Sequence, residues 1–290
     1  MHAQEQLPPV SVAPDDSLAL LRAELERRLE EGSLELPLLP GVAMEVTSAA
    51  AREDTDTRLL ADILKRDPAM AAHVLRVVNS PAYSPRAQIV SLQQAVGRVG
   101  SAKIREIALV IACRTGVFKV KGYEAEVDQV FKHSVATALF AQEIARQTRN
   151  NVEDAFLCGL LHDVGRPVLL QALLTLSRER GAAQPREALL TLVSEIHCRA
   201  GAALASSWKL PETVSAAILD HHTASSEHAA SVHITALADQ LGHALLETPK
   251  VTPESVSEHP ALEKLEIYPD VLEKILGRAE HLRKAAEALS

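Results

Sequence analysis

Apolar residues recur along most of this chain at the three- to four-residue spacing that is typical of amphipathic helices. Leu18, Leu21, Leu25 and Leu29 form one such stripe, which ends at Gly32. The same pattern predicts further helices over about 42–52, 56–65, 67–78, 92–99, 102–113, 127–147, 153–164, 167–179, 186–208, 211–222 and 230–246. The sequence therefore predicts an all-α fold, a multi-helix bundle.

The segments between these stripes divide the chain. Residues 1–14 are polar and proline-rich, which is typical of a disordered tail. Pro37 and Pro40 exclude a helix over 34–40 and predict an extended segment there. Residues 116–126 lack the helical pattern and indicate a connection. We predict a tail at 1–14, an N-terminal helical half at 15–120, a C-terminal helical half at 121–250 and a helical extension at 251–290.

The composition supports helices and argues against a nucleic-acid partner. The chain has 290 residues, of which 47% are apolar, so it can bury a large core. Only 3% are aromatic, and a low aromatic content is not typical of strand-rich proteins. Lysine and arginine number 30 against 38 acidic residues, which gives a net charge of −8. A phosphate backbone requires a basic surface, so we expect no nucleic-acid binding.

The cysteines and the hydropathy pattern point to the cytoplasm. Cys113, Cys158 and Cys198 lie far apart and form no CxxC pair, so their spacing predicts neither a disulfide framework nor a thiolate zinc site. No uninterrupted apolar run reaches the length of about 18 residues that a membrane span requires. The start of the chain shows no basic segment followed by an apolar one. We therefore expect a cytoplasmic protein without a membrane partner.

Two histidines lie on helix faces that must point inward. His133 shares a face with Val130 and Phe140. His197 lies one turn before Gly201 on another inward face. A glycine inside a helix costs about 1 kcal/mol relative to alanine. A close approach of another segment beside His197 would explain why a glycine occupies position 201.

The most apolar helix of the chain runs directly into a polar pair. Residues 155–161 are apolar on all sides, as in a central buried helix, and His162 and Asp163 follow at once. We expect Gly165 to end this helix. The partial negative charge at a helix C-terminus favours a cation there.

Two further segments carry titratable groups at the edge of an apolar face. His221 and His222 follow Ile218 at the end of one stripe. Asp239 lies on the margin of the inner face of the next predicted helix, and His243 lies one turn beyond it.

A divalent ion explains this pattern better than isolated core histidines do. One inward histidine is more often a hydrogen-bonded core residue than a ligand. Several imidazoles and two carboxylates buried together, however, carry a large desolvation penalty unless an ion binds them. Nitrogen and oxygen ligands suit iron, manganese, zinc or nickel, and the sequence does not choose among these metals. The predicted metal ligands are His133, His162, Asp163, His197, His221, His222 and Asp239.

Short motifs accompany these residues in a characteristic order. They are LPLLPG (36–41), DPAM (67–70), LRVVNSPAY (75–83), SLQQAVGRVG (91–100), LLHDVGR (160–166), HCRAGAALASSWKLP (197–211) and LADQL (237–241). In this order they resemble the HDOD proteins, a branch of the HD metal-dependent phosphohydrolase superfamily. The resemblance covers roughly residues 33–245.

The resemblance implies an all-α bundle in which an HDOD-type N-terminal half packs on an HD-like half, and it implies a function in bacterial signal transduction. It also implies that two divalent ions bind in the HD-like half. The first would be held by His133, His162, Asp163 and Asp239, and the second by His197, His221 and His222.

Two departures from the catalytic relatives leave two functional hypotheses. Arg166 stands where HD-GYP phosphodiesterases typically carry lysine, and no GYP sequence follows His222. The first hypothesis is a regulatory binding or output module whose HD pocket binds metal or a ligand, with a protein signalling partner or a nucleotide-type ligand. The alternative is a metal-dependent phosphohydrolase of a nucleotide or cyclic dinucleotide, with Asp163 and His162 as catalytic residues. Arg166, Lys132 and Arg199 are either phosphate contacts or surface charges.

Overall fold

The structure is a computed structural model, and it describes residues 14–290 apart from 51, 53–55, 84–87, 182, 224, 226 and 247–255. Within these ranges the regular elements are helices and no strand occurs. The first six helices are α1 (Pro14–Glu30), α2 (Gly41–Ala50), α3 (Thr57–Lys65), α4 (Pro68–Val78), α5 (Leu92–Val99) and α6 (Ser101–Gly116). They are followed by α7 (Glu124–Gln147), α8 (Val152–Leu161), α9 (Gly165–Glu179), α10 (Arg186–Ser207), α11 (Glu212–Asp220) and α12 (Ala230–Leu245). The C-terminal helices are α13 (Ala261–Lys264), α14 (Pro269–Leu276) and α15 (Ala279–Leu289).

The predicted all-α class is confirmed, and most predicted helices begin and end within a few residues of the observed ones. The tail predicted at 1–14 lies outside the described residues except for Pro14, which begins α1. The segment 34–40 is non-helical, as its prolines predict.

Local capping explains several helix starts in the N-terminal half. Asp67 accepts hydrogen bonds from the backbone N–H groups of Ala69 and Met70 at the start of α4. Ser91 accepts one from Gln94 at the start of α5. Helix α6 packs against α2, α4 and α5, and its residues from Ile104 to Cys113 are buried.

Asn79, within the NSPAY segment, ties two parts of this half together. Its side-chain amide donates to the carbonyl oxygens of Leu75 and Ile89, both at 2.8 Å. Its Oδ1 accepts from the backbone N–H of Ile89 at 2.8 Å. The side chain therefore replaces the backbone pairing that residues 88–90 lack.

Replacing Asn79 with alanine is expected to lower the free energy of unfolding by about 2 kcal/mol, because partly buried backbone groups of Ile89 lose their partners. Urea unfolding followed by circular dichroism measures the change. Gln93→Ala is the control, since Gln93 is exposed on α5 and should change stability by less than about 0.5 kcal/mol. Equal stability of the two variants would contradict this structural function.

Helix α1 and the extended segment contact the C-terminal half, although they precede the predicted boundary near residue 120. Helix α1 packs against α9 and α10. The indole Nε1 of Trp208, at the end of α10, donates to the carbonyl oxygen of Pro37 at 2.8 Å. Residues at both ends of the sequence thus share one hydrophobic core. The proposed domain boundaries stay a prediction.

Helix α7 lies at the centre of the C-terminal half. It packs against α8, α12, α14 and α15, and α10 packs against α9 and α11. Helix α11 also contacts α8 and α12, so α7, α8, α10, α11 and α12 form one connected group of helices. The candidate ligands all lie on these helices or in the turns that follow them.

Two helical stretches, Val152–Glu179 and Arg186–Ser207, are long and apolar enough to cross a membrane by length and composition alone. The apolar window of the first is 78% buried within the fold and that of the second 50%. Burial of this kind is typical of core helices, which pass the same test.

Candidate metal centre

The predicted ligands form one continuous cluster in the C-terminal half. His133 lies in the middle of α7, and His162 and Asp163 occupy the turn between α8 and α9. His197 lies on α10, His221 and His222 follow the end of α11, and Asp239 lies on α12.

Glycines allow the helices that carry these residues to approach closely. A Cβ atom on Gly159 of α8 would lie 2.6 Å from the Cα of Ala138 on α7. One on Gly165 would lie 1.9 Å from the carbonyl oxygen of His197, and one on Gly201 would lie 2.7 Å from Cγ2 of Ile218. The close approach predicted at Gly201 is confirmed. The expectation that Gly165 ends α8 is wrong: α8 ends at Leu161, and Gly165 begins α9 in contact with α10.

The first group of contacts centres on Asp239. Its Oδ1 lies 2.7 Å from Nε2 of His133 and 3.5 Å from Nε2 of His162. Nε2 of His162 also lies 3.6 Å from Oδ2 of Asp163. Ligand atoms of His133, His162 and Asp163 all lie within 4.8 Å of one another, close enough to share an ion.

The second group lies on the other side of Asp163. Oδ1 of Asp163 is 3.1 Å from Nε2 of His197 and 4.0 Å from Nε2 of His221. Nε2 of His222 lies 3.3 Å from Nε2 of His197. Asp163 is therefore the residue that links the two groups.

Hydrogen bonds to the backbone hold three of the imidazoles in one tautomer. Nδ1 of His162 lies 2.8 Å from the carbonyl oxygen of Gly159, and Nδ1 of His197 lies 2.8 Å from that of Ser194. Nδ1 of His221 lies 2.9 Å from the carbonyl oxygen of Ile218. A carbonyl oxygen only accepts, so each Nδ1 carries a proton and each Nε2 is the ring nitrogen that faces the centre. This backbone support is typical of metal-ligating histidines.

The carboxylates are ionised and His221 is neutral. Burial alone raises the pKa of Asp163, but His162, Arg166 and His197 hold it well below its usual value. Burial likewise opposes ionisation of Asp239, yet the hydrogen bond with His133 and the nearby imidazole of His162 keep its pKa well below the usual range. For His221, burial and the nearby His162 lower the pKa to about 3. Two carboxylates and a neutral imidazole in one buried centre are the forms that bind a cation.

The three basic residues that the sequence analysis left as phosphate contacts or surface charges have different partners. Nε of Arg166 lies 2.7 Å from Oδ1 of Asp163, which makes Arg166 part of the centre. Lys132 pairs with Asp128, and Arg199 pairs with Glu30. Arg166 is therefore the one candidate of the three that enters the site.

The buried imidazoles fit a divalent ion. Nε2 of His162 and Nε2 of His221 are buried and have no hydrogen-bond partner in the part of the chain that the structure describes. Both atoms face carboxylates at distances longer than a hydrogen bond, 3.5 Å or more. An ion would satisfy them, because metal ligation replaces the missing hydrogen bonds of a buried ring nitrogen.

The family model of the HDOD domain matches residues 36–224, which is more than half of the chain. The chain belongs to the HDOD domain family. The matched range contains the ligands from His133 to His222, whereas Asp239 lies beyond it. A protein of Treponema pallidum (strain Nichols) of uncharacterised function is 28% identical over 213 residues. That alignment covers 70% of this chain, and the chain spans only 40% of the relative's length.

Solved structures share the HDOD fold over nearly the whole chain. A protein of Shewanella amazonensis SB2B, provisionally named a metal-dependent phosphohydrolase, has a TM-score of 0.72 at 21% identity and covers 93% of this chain and 99% of its own. An HDOD domain protein of unknown function from Geobacter sulfurreducens has a TM-score of 0.67 at 24% identity, with coverages of 95% and 99%. A protein of Marinobacter aquaeolei VT8, provisionally named a signal transduction protein, has a TM-score of 0.64 at 21% identity and covers 97% of this chain and 68% of its own.

Two further residues of this HDOD centre are candidate ligands that the sequence analysis did not include in its ligand set. His243 stacks on His133 with ring centroids 4.0 Å apart, and ligand atoms of His133, Asp239 and His243 lie within 4.8 Å of one another. Cys198 brings its Sγ to 3.4 Å from Nε2 of His197. His243 could have been found from its position four residues after Asp239, since these positions share a helix face. No spacing pattern indicated Cys198.

Proposed function

We propose that this HDOD protein is a bacterial signal-transduction module that acts mainly by binding a partner, and that its HD pocket holds one or two divalent ions. The observation that carries the proposal is the ion pair between Arg166 and Asp163 inside a buried centre. The side chains of His162 and His221 are fully buried, and that of Asp163 is 8% exposed.

This geometry favours binding over catalysis. A phosphohydrolase must expose its ligands to a phosphoryl group, and the aspartate that links both halves of the centre must be free to bind ions. Here Arg166 forms an ion pair with one oxygen of Asp163. The exposed members of the centre are peripheral, because His222 is exposed and the side chain of His243 is 39% exposed. An ion in such a place stabilises the fold on which a partner binds.

The partner class follows from the surface. Large apolar side chains are exposed in the N-terminal half, among them Leu38 at 83% and Val90 at 70%. Such side chains suit a protein signalling partner, and a nucleotide-type ligand is the other class that we propose. The net charge of −8 disfavours nucleic acid, and the proposed location is the cytoplasm.

The alternative is a metal-dependent phosphohydrolase of a nucleotide or cyclic dinucleotide. The complete set of histidines and aspartates supports it, because two ions in such a set supply Lewis-acid activation of a phosphoryl group. In that case Asp163 and His162 would orient the reacting groups, and Arg166 would have to leave Asp163 for the phosphate.

Metal removal tests the first part of the proposal. Purified protein is expected to contain a divalent transition metal by elemental analysis, and a chelator should lower its thermal unfolding midpoint. Restoring the metal to 100 times its Kd should add about 2.7 kcal/mol to the free energy of unfolding. Protein that contains no metal and unfolds identically with and without chelator or added metal would contradict the proposal.

A phosphodiesterase screen separates the two functions. The proposal predicts that the metal-loaded protein hydrolyses a generic nitrophenyl phosphodiester and cyclic dinucleotides no faster than Asp163→Asn, a variant of nearly the same shape. Metal-dependent turnover that is present in the wild type and lost in Asp163→Asn would establish the phosphohydrolase instead.

A further inference from the structure

Cys198 is a nucleophilic side chain that the HDOD resemblance leaves without a function. It follows His197 on α10 and is partly buried. Its Sγ lies 3.4 Å from Nε2 of His197. Ligand atoms of His197, Cys198, His221 and His222 all lie within 4.8 Å of one another. The other thiols, Cys113 and Cys158, are buried in the core and belong to none of the candidate metal groups among the described residues.

Two of the separations among these four atoms match those of ligands around a small tetrahedral ion, and the others lie within 4.8 Å. Zinc bonds of about 2.0–2.1 Å to nitrogen and 2.3 Å to sulfur place neighbouring donors roughly 3.3–3.6 Å apart. The observed separations from Nε2 of His197 are 3.3 Å to Nε2 of His222 and 3.4 Å to Sγ of Cys198.

An independent feature points to a ligand at the same place. His221 is 3% exposed, and its Nε2 is buried without a hydrogen-bond partner in the described chain. Its Nδ1 bonds to the carbonyl oxygen of Ile218, so Nε2 presents a lone pair to the cluster. His197 is held in the same way by Ser194. Two of the three imidazoles are therefore preoriented as metal ligands.

We propose that Cys198 supplies a thiolate ligand to the second ion position, which makes His197, Cys198, His221 and His222 a four-ligand site selective for zinc or cobalt. The inference rests on the proposed function, because it requires that the HD pocket binds metal. Thiolate and imidazole ligands favour these ions over magnesium and manganese, which prefer oxygen. The neighbouring position at His133, His162, Asp163 and Asp239 contains the carboxylates, so the two positions differ in preference.

Ligation by Cys198 changes the expectation drawn from the cysteine spacing. That spacing predicted no thiolate zinc site because the cysteines form no pair along the sequence. A single cysteine suffices here, since histidines from α10 and from the turn after α11 complete the set.

Cobalt absorption spectroscopy tests the assignment. The full chain is stripped of metal and titrated with Co²⁺, which occupies zinc sites and gives a near-ultraviolet charge-transfer band only when a thiolate is bound. We expect the band in the wild type, its loss in Cys198→Ser, and its retention in Cys113→Ala, the control that removes a remote buried thiol. Zinc affinity of Cys198→Ser should fall by more than about tenfold, with an unchanged far-ultraviolet circular dichroism spectrum.

The outcomes distinguish this inference from the proposed function. If the wild type binds cobalt without the band, or if the band persists in Cys198→Ser, the thiolate assignment is wrong while the metal-loaded pocket stands. If the wild type binds neither cobalt nor zinc, the thiolate assignment is wrong, and the proposed function is wrong as well if the purified protein contains no divalent metal. If Cys198→Ser loses its helical circular dichroism spectrum, alkylation of Cys198 in the wild type tests the assignment instead. Protection of Cys198 from alkylation by bound zinc supports the assignment, and alkylation that zinc does not change overturns it.

Discussion

Asp163→Ala is expected to lower the free energy of unfolding by about 3–5 kcal/mol and to abolish binding of the ion at the position of His133, His162, Asp163 and Asp239. The Asp163 carboxylate is buried between Arg166, His162 and His197. Removing it leaves the guanidinium and the imidazoles in a low-dielectric interior without their anionic partner, and this is costlier than losing an exposed ion pair. Urea unfolding and elemental analysis of the purified variant measure the two effects.

The matched control for this prediction is Asp62→Asn. Asp62 also accepts from a basic residue, Lys65 at 2.7 Å, but its side chain is 68% exposed. An exposed pair contributes little, so the change should be below about 0.5 kcal/mol with full metal content. Should Asp163→Ala be insoluble, Asp163→Asn keeps the shape and still removes the charge. Wild-type stability and metal content in both Asp163 variants would show that Asp163 does not hold the centre together.

Gly165→Ala is expected to destabilise the protein by about 3–5 kcal/mol, an effect at the upper end for single substitutions. The added Cβ would lie 1.9 Å from the carbonyl oxygen of His197 and 2.7 Å from the backbone nitrogen of Gly201. Both obstacles are backbone atoms of α10, so the start of α9 must move away from α10. Because Asp163 precedes this start and His197 lies on α10, the distance between them should lengthen and metal affinity should fall with stability.

Gly97→Ala provides the control for the glycine effect. Gly97 lies inside α5, and a Cβ there would meet nothing within 4 Å. Alanine has a higher helix propensity than glycine, so this variant should be more stable than the wild type by up to about 1 kcal/mol. Thermal unfolding of both variants side by side checks the opposite signs. A neutral Gly165→Ala would mean that α9 and α10 do not pack this closely.

Much of the local structure could be predicted from the sequence. The stripe at His133 lies on α7 as expected, and Asp67 and Ser91 cap helices where their residue types suggest. The HDOD resemblance, which rests on the NSPAY and HD segments, agrees with the family match over 36–224. These features were accessible because helical periodicity and capping depend on residues within a few positions of one another.

The residues that join the centre beyond the expected ligands could not be predicted from local sequence patterns. Arg166 reaches Asp163 because the turn between α8 and α9 is only three residues long, and no pattern in the sequence distinguishes it from Lys132. Adjacent positions on a helix point about 100° apart, so helical geometry does not predict that neighbours such as His197 and Cys198 both reach the centre. In the structure Sγ of Cys198 nevertheless lies beside Nε2 of His197. Gly165 begins α9 in contact with α10 rather than ending α8.

By itself the sequence determined the helical class, most helix boundaries and the set of histidines and aspartates that face inward. Only the tertiary structure decided that these side chains meet, that Asp163 links two groups of them, and that Arg166 and Cys198 join the centre. The physical reason is sequence separation. Helical periodicity depends on residues a few positions apart, whereas the contact between His133 and Asp239 joins positions 106 residues apart. Such distances are set by how closely the helices pack, which here depends on backbone contacts at Gly159, Gly165 and Gly201.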